Sequence, residues 1–281
     1  MLGALVIVFR EVIEAGLIVG IVLAAARGVA GRNLWVSIGI AGGALGAAIV
    51  AIFAGAIATQ FEGSGQEMFN AIILGIAVCM LGWHTGWMAS HGREMAREMK
   101  AVGQDVAEGR RPLTALAVVV GIAVLREGSE VVLFLYGIAA SGGVDATGIV
   151  VGGLLGVIAG AAVTALMYFG LLQIPARHLF SATTWLITLL AAGLGSQAVS
   201  FLQQGSFINV LTDPLWDTSW LVSDGSILGR LLKTLVGYTD SPTGLQLIAY
   251  LCVIAAFYAL AHFVQRAHSR ARHTAALAHK H

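Results

Sequence analysis

The sequence predicts an all-α integral membrane protein: seven transmembrane helices, arranged as two inverted three-helix repeats plus a seventh helix. Three observations carry this. Only 11% of the 281 residues are charged and 58% are hydrophobic, where soluble domains carry about 25% charged residues. Seven apolar segments reach the roughly 20 residues that a spanning helix needs. Finally, short motifs recur at matched offsets along the chain, as they do in proteins built from internal repeats.

Taken in order, the spans fall near residues 2–26, 34–59, 67–90, 113–140, 146–172, 179–203 and 243–265. The first run has no basic leader and no small-residue cleavage site, so it reads as a span and not as a signal peptide. Ala41-Gly-Gly-Ala-Leu-Gly46 in the second span answers Val151-Gly-Gly-Leu-Leu-Gly156 in the fifth, 110 residues on. Met68-Phe-Asn-Ala71 opens the third span as Leu179-Phe-Ser-Ala182 opens the sixth, 111 on. Three spans per unit make the second copy enter from the opposite side. Residues 1–281 thus form a single membrane domain. Residues 1–112 hold the first repeat with a cytoplasmic helix extension, and 113–204 the second, inverted one. An extracytoplasmic segment at 205–242 precedes the seventh helix and cytoplasmic tail at 243–281.

Lysine and arginine set the orientation. With the N-terminus outside, the inner side receives Arg27, Arg32, Arg93, Arg97, Lys100, Arg110, Arg111, Arg177, Arg266, Arg270, Arg272 and Lys280, and the outer side only Arg230 and Lys233. The alternating charges of 91–111 extend the third helix into the cytoplasm, and Ile227 to Val236 reads as an amphipathic interfacial helix. Trp35, Trp83, Trp87, Trp216 and Trp220 fall near span ends, where aromatic anchors sit. The net charge of +1 points to no nucleic-acid partner, whereas the apolar spans require membrane lipid as surroundings. Cys79 and Cys252 lie inside apolar runs and form no redox motif.

Two stretches break the apolar pattern: Arg10-Glu11-Val12-Ile13-Glu14 and Arg126-Glu127-Gly128-Ser129-Glu130, 116 residues apart. A charged residue at the centre of a membrane helix costs about 2.5–3.5 kcal/mol, so six cost on the order of 15–20 kcal/mol gross when unpaired. At 1.5 Å per residue Glu11 and Glu127 lie about 15 and 20 Å in, near the middle of an approximately 30 Å core. Within each motif the glutamates share a helix face, and the arginine stands four residues before the second of them. Salt bridges that merely fix packing would call for equal charges. Here four carboxylates face two guanidiniums, leaving two negative charges in surplus. Glu11, Glu14, Glu127 and Glu130 are therefore candidate ligands of a multivalent cation, with Arg10 and Arg126 as charge partners. Carboxylates without thiolates favour a hard ion, of which ferric iron is harder than ferrous. A di-iron enzyme site would need Glu-x-x-His steps, but residues 17 and 133 are Leu17 and Leu133, so no enzymatic activity is expected.

Secondary candidates surround this pair. Glu62 and Glu67 sit at the outer mouth as a candidate entry site, and Asp213, Asp217 and Asp224 can extend its attraction. His84 reads as a hydrogen-bonded packing histidine more readily than as a ligand. Met95 and Met99, and the tail histidines His262, His268, His273, His279 and His281, read as solvated surface before they read as metal sites.

Paired Arg-Glu-x-x-Glu motifs in the first and fourth of seven helices resemble the oxidase-dependent iron permeases, a family of high-affinity iron transporters, and their bacterial members in particular. The resemblance covers essentially the whole chain, including Phe61-Glu-Gly-Ser-Gly-Gln-Glu67 and Leu235-Val-Gly-Tyr-Thr-Asp-Ser-Pro-Thr-Gly244. It implies inward movement of iron across the cell (inner) membrane. The iron would be ferric, supplied by an extracytoplasmic oxidase or iron-binding protein, with Glu11, Glu14, Glu127 and Glu130 binding it. It implies no cofactor beyond the transported ion. The alternatives are a carrier of lead, ferrous iron or manganese, and a membrane metal sensor or assembly subunit that does not transport.

Overall fold

In a computed structural model the described residues are 1–58, 66–140, 145–170 and 176–278. They form eight helices: α1 (Leu2–Ala25), α2 (Arg32–Ala58), α3 (Gln66–Ala107), α4 (Thr114–Ala140), α5 (Ala146–Tyr168), α6 (Ala176–Gln204), α7 (Ile227–Val236) and α8 (Gly244–Ala278). Among the described residues there is no strand, only an isolated bridge between Pro214 and Thr243. Five helices hold a stretch long and apolar enough to cross a membrane: 32–56, 66–88, 146–168, 183–204 and 244–263. α1 and α4 are long enough at 24 and 27 residues, and each carries the three charges of its motif.

Polarity is distributed inside out. Ile52, Phe53, Leu45, Ile158, Trp83 and Phe263 are exposed, while Arg10, Glu11, Glu14 and Glu127 are buried. A water-facing surface reverses this order; a lipid-facing one requires it.

Small residues set the packing of the four helices that carry or brace the motifs. α5 lies along α1, with Gly152 at Met1 and Gly156 at Leu5 and Val8. Further along, Gly160 meets Phe9 and Val12. α2 lies along α4 the same way, with Gly39 at Ala117, Gly43 at Gly121 and Val124, and Ala47 at Gly128. Both pairs run parallel, and they correspond contact for contact: residues of α1 and α4 match at an offset of 116, those of α2 and α5 at 113. The glycine motifs pair at 110 in sequence, so the packed register differs from the motif register by three residues. Each motif carries adjacent glycines, and only neighbouring backbone decides which of them faces inward.

α3 and α6 form the centre with the buried cluster Leu74, Ala77, Leu81, Phe134, Ile138, Ile187, Leu190 and Leu194. The expected extension of α3 beyond residue 90 is present. Gly103 packs on Val22 and Ala25 at the end of α1, and Val106 joins Val22, Val36, Leu116 and Val120 in a second cluster. α3 closes at Asp105, whose carboxylate takes Arg110 Nη2 at 2.7 Å and Arg111 Nε at 3.2 Å. α8 runs to residue 278, past the expected end near 265.

The expected amphipathic helix is α7. Ser226 caps it by accepting the Gly229 N–H at 2.9 Å, and it ends on Gly237 at φ 70°. Gly237 lies against the backbone of Gly193 in α6 and within 3.0 Å of where the Tyr250 ring would meet a side chain. A left-handed φ and a glycine–glycine contact at one position leave no room for any other residue. Gly237→Val is therefore expected to destabilise the protein by about 2–4 kcal/mol, from αL strain plus overpacking. Denaturant titration in detergent micelles measures it; an unchanged midpoint would show that α7 is not docked on α6.

Candidate metal centre

Helical periodicity puts each motif on one face, and the glycine interfaces turn those faces inward. Arg10, Glu11 and Glu14 on α1 are 3%, 1% and 4% exposed, and Glu127 on α4 is 2% exposed. The Glu130 side chain keeps 15% exposure and that of Arg126 32%. The structure thus brings both motifs together, burying the first fully and the second less.

On α1, Arg10 donates from Nη1 to Glu11 Oε1 at 2.9 Å, and its Nη2 pairs with Glu14 Oε1 at 2.8 Å. The second oxygen of each glutamate has no hydrogen-bond partner. On α4, Arg126 Nε donates to Glu130 Oε1 at 3.3 Å and stands 3.9 Å from Glu127 Oε1. Neither oxygen of Glu127 accepts a hydrogen bond.

Between the two sets stands His84 of α3, 3% exposed. Its Nε2 lies 3.3 Å from Glu14 Oε2 and 3.8 Å from Glu11 Oε2, and its Nδ1 contacts Glu130 Oε2. The expected hydrogen-bonded histidine has carboxylates as its partners: His84 bridges three of them from two helices, because one turn of α3 packs against both α1 and α4. An ionisable residue within a span flags the position in the sequence without deciding between hydrogen-bonded packing and ligation.

One donor atom each from Glu11, His84, Glu127 and Glu130 lies within 4.8 Å of all the others. First-row ions hold N and O ligands at about 2.1 Å, so donors on opposite sides of one ion are about 4.2 Å apart. The set is thus only slightly wider than the ligand shell of a single ion. Buried acceptors without hydrogen bonds are rare because each forfeits its solvation, and here several converge on one point. Glu14 borders this set through His84 and Arg10.

The remaining candidates lie elsewhere. Glu67 is exposed in the first turn of α3, about 25 Å along the helix from His84; Glu62 falls outside the described residues. Asp224 is engaged within the 205–242 segment: it pairs with Lys233 at 3.1 Å and exchanges backbone N–H bonds with Asp240 at 2.9 and 3.0 Å. Asp217 accepts the Ser219 N–H at 2.8 Å. The hydrogen bonds from Ser219 hold its carboxyl below the usual aspartate range. A groove of about 620 Å³ on the flank of α3, lined by Ile72, Ile76, Cys79, Met80 and Trp83, reaches His84 and Glu130.

Comparison with known proteins identifies the family of the chain. The iron permease FTR1 family matches residues 1–271. The protein called ferrous iron permease EfeU of Yersinia pestis is 30% identical over 249 residues, 87% of each chain. Its namesake in Escherichia coli O6:K15:H31 is 29% identical over 241 residues, 84% of this chain and 86% of that one. Both relatives are named as permeases. No solved structure matches the chain. With its membrane-length apolar helices, the protein is a multi-pass membrane protein. A match over nearly the whole chain, with both charged motifs inside it, places this protein in the iron permease FTR1 family.

Proposed function

We propose that this protein carries ferrous iron inward across the cytoplasmic (inner) membrane. One ion is shared by Glu11, His84, Glu127 and Glu130; Arg10 and Arg126 are charge partners, and Glu14 steadies His84 and Arg10. The observation that carries the reading is the convergence of four buried donors from three helices within 4.8 Å. An imidazole nitrogen softens a carboxylate set towards a borderline ion. With His84 neutral, a divalent ion also cancels the two surplus negative charges of the motifs. The same reading places seven spans in the membrane, counting α1 and α4. Its N-terminus is outside, its C-terminus cytoplasmic, and its halves 1–112 and 113–204 are inverted about the site. The exchange of partners, α1 with α5 and α4 with α2, supports that inversion. Segment 205–242 covers the outer side, with Glu67 at the entrance. No cofactor is invoked beyond the transported ion.

Ferric iron handed over by an extracytoplasmic oxidase or binding protein is the second reading. The carboxylate majority favours it, since three of the four donors are hard oxygens. Uptake by the purified protein in liposomes decides among the readings, comparing anaerobic ferrous iron, chelated ferric iron, manganese and lead. Ferrous uptake is expected, reduced about 10- to 100-fold in His84→Ala. The magnitude follows that of losing a supporting group at a metal site. Uptake of ferric iron alone, or undiminished ferrous uptake by His84→Ala, would overturn the donor set; no uptake of any ion would favour a sensor or assembly subunit.

A further inference from the structure

Arg10 and Arg126 occupy matching places in the two motifs but hold their glutamates differently. Arg10 turns both terminal nitrogens onto carboxylates, at 2.9 and 2.8 Å. Arg126 reaches Glu130 through Nε, at 3.3 Å, and no hydrogen bond from its terminal nitrogens to a carboxylate is found among the described residues. Its guanidinium instead lies over the indole of Trp87, with Cζ 4.0 Å from the ring centroid. Trp87 stands three residues beyond His84 on α3, and its ring is stacked with that of His91 at 5.1 Å and 16°. In the 111-residue register that relates α3 to α6, the counterpart of Trp87 is Ala198. The second repeat thus carries no ring at the matching sequence position.

The stack has a chemical consequence. A guanidinium held over an indole gains a cation–π attraction, and its rigid planar fork can clamp a carboxylate only where that plane leads. The fork that would otherwise clamp a carboxylate in bidentate fashion is turned away, and both oxygens of Glu127 remain without hydrogen bonds. We infer that Trp87 is a latch for Arg126. It parks the guanidinium beside the centre, so that Glu127 is open to the ion, and the fork moves onto it as a replacement cation when the ion leaves. Arg126 is then a competitor of the ion, and Trp87 sets the terms of the competition. Trp87 is a positioning residue: it touches Arg126 and not the ion. The inference rests on the metal centre proposed above.

A double-mutant cycle tests it, using the full chain in detergent micelles and ferrous iron under anaerobic conditions, with affinity read by calorimetry. Trp87→Leu removes the ring and frees the fork, so iron affinity should fall about tenfold, the equivalent of one cation–π contact in a desolvated place. Trp87→Phe keeps a π face and should restore most of it. With Arg126→Gln the competitor is absent, so adding Trp87→Leu should change affinity less than twofold. Equal losses in both arginine and glutamine backgrounds would make Trp87 a packing residue and overturn the latch. If the leucine variant does not fold, Trp87→Met takes its place and is read in the same way: a loss that vanishes with Arg126→Gln supports the latch, and an equal loss in both backgrounds, or none in either, rejects it. A wild-type chain that binds no iron would instead overturn the metal centre itself.

Discussion

Glu127→Gln is expected to reduce iron uptake by about a hundredfold or more while leaving the protein at least as stable as the wild type. The two halves of that outcome have one cause. Glu127 is 2% exposed, its oxygens accept no hydrogen bond, and the nearest cation is 3.9 Å away. A buried carboxylate in that state forfeits its solvation and recovers little from its neighbours. Neutralising it relieves the fold and removes an anionic ligand from the centre. Stability and function are thus opposed at this residue, as at sites kept for chemistry.

The other motif behaves differently. Glu14 is bonded to Arg10 at 2.8 Å, so Glu14→Ala leaves a buried guanidinium with half its partners. Breaking such a pair costs about 3–5 kcal/mol, and uptake should be lost together with part of the stability. Glu130→Ala should also abolish uptake while folded protein remains in the membrane, because Arg126 keeps the Trp87 face. Radioactive iron uptake in cells and thermal unfolding in micelles, measured side by side, separate the three variants. Near-wild-type uptake by Glu127→Gln would remove it from the ligand set, and a marked loss of stability would show that its carboxylate is structurally paired.

Helix positions were legible because a long apolar run has few options in a bilayer and forms a helix; most observed ends fall within a few residues of the expected ones, whereas α8 continues to residue 278. The motifs were legible because charge at that depth is costly. His84 was not, since one histidine in an apolar run reads the same whether it packs or binds. Only the placement of α3 between α1 and α4 decides, and that placement is non-local. Trp87 illustrates the same limit. Its position near a span end reads as an interface anchor, yet its ring serves Arg126, 39 residues away in sequence. The residues of 205–242 were legible as acidic but not as mutually bonded, because the Asp224–Asp240 exchange depends on how the segment folds back on itself.

Gly156→Leu and Gly43→Leu are expected to have large structural effects, and the same effect at both places. A side chain at Gly156 would begin 2.8 Å from the Leu5 carbonyl and from Val8 Cβ; one at Gly43 would begin 2.6 Å from the Gly121 carbonyl and 2.7 Å from Val124 Cβ. Both obstacles include backbone of a parallel helix, which cannot rotate away as a flexible side chain does. The helices must separate by the width of an aliphatic group, giving up contacts over their whole length. In lipid no hydrophobic drive restores the contact, because hydrocarbon tails satisfy apolar surface equally well; association rests on close packing alone. The cost should exceed the roughly 1–3 kcal/mol of ordinary overpacking. Moving α1 off α5 also carries Glu11 and Glu14 away from His84, so uptake should fall with stability. Gly42→Leu is the control: it shares the motif with Gly43, but nothing lies within 4 Å of its added Cβ. Detergent-resistant folding and iron uptake should both survive there. If Gly42→Leu and Gly43→Leu were equally damaging, the packed register of α2 on α4 would be wrong, and with it the contact-for-contact match that aligns the two halves around the site.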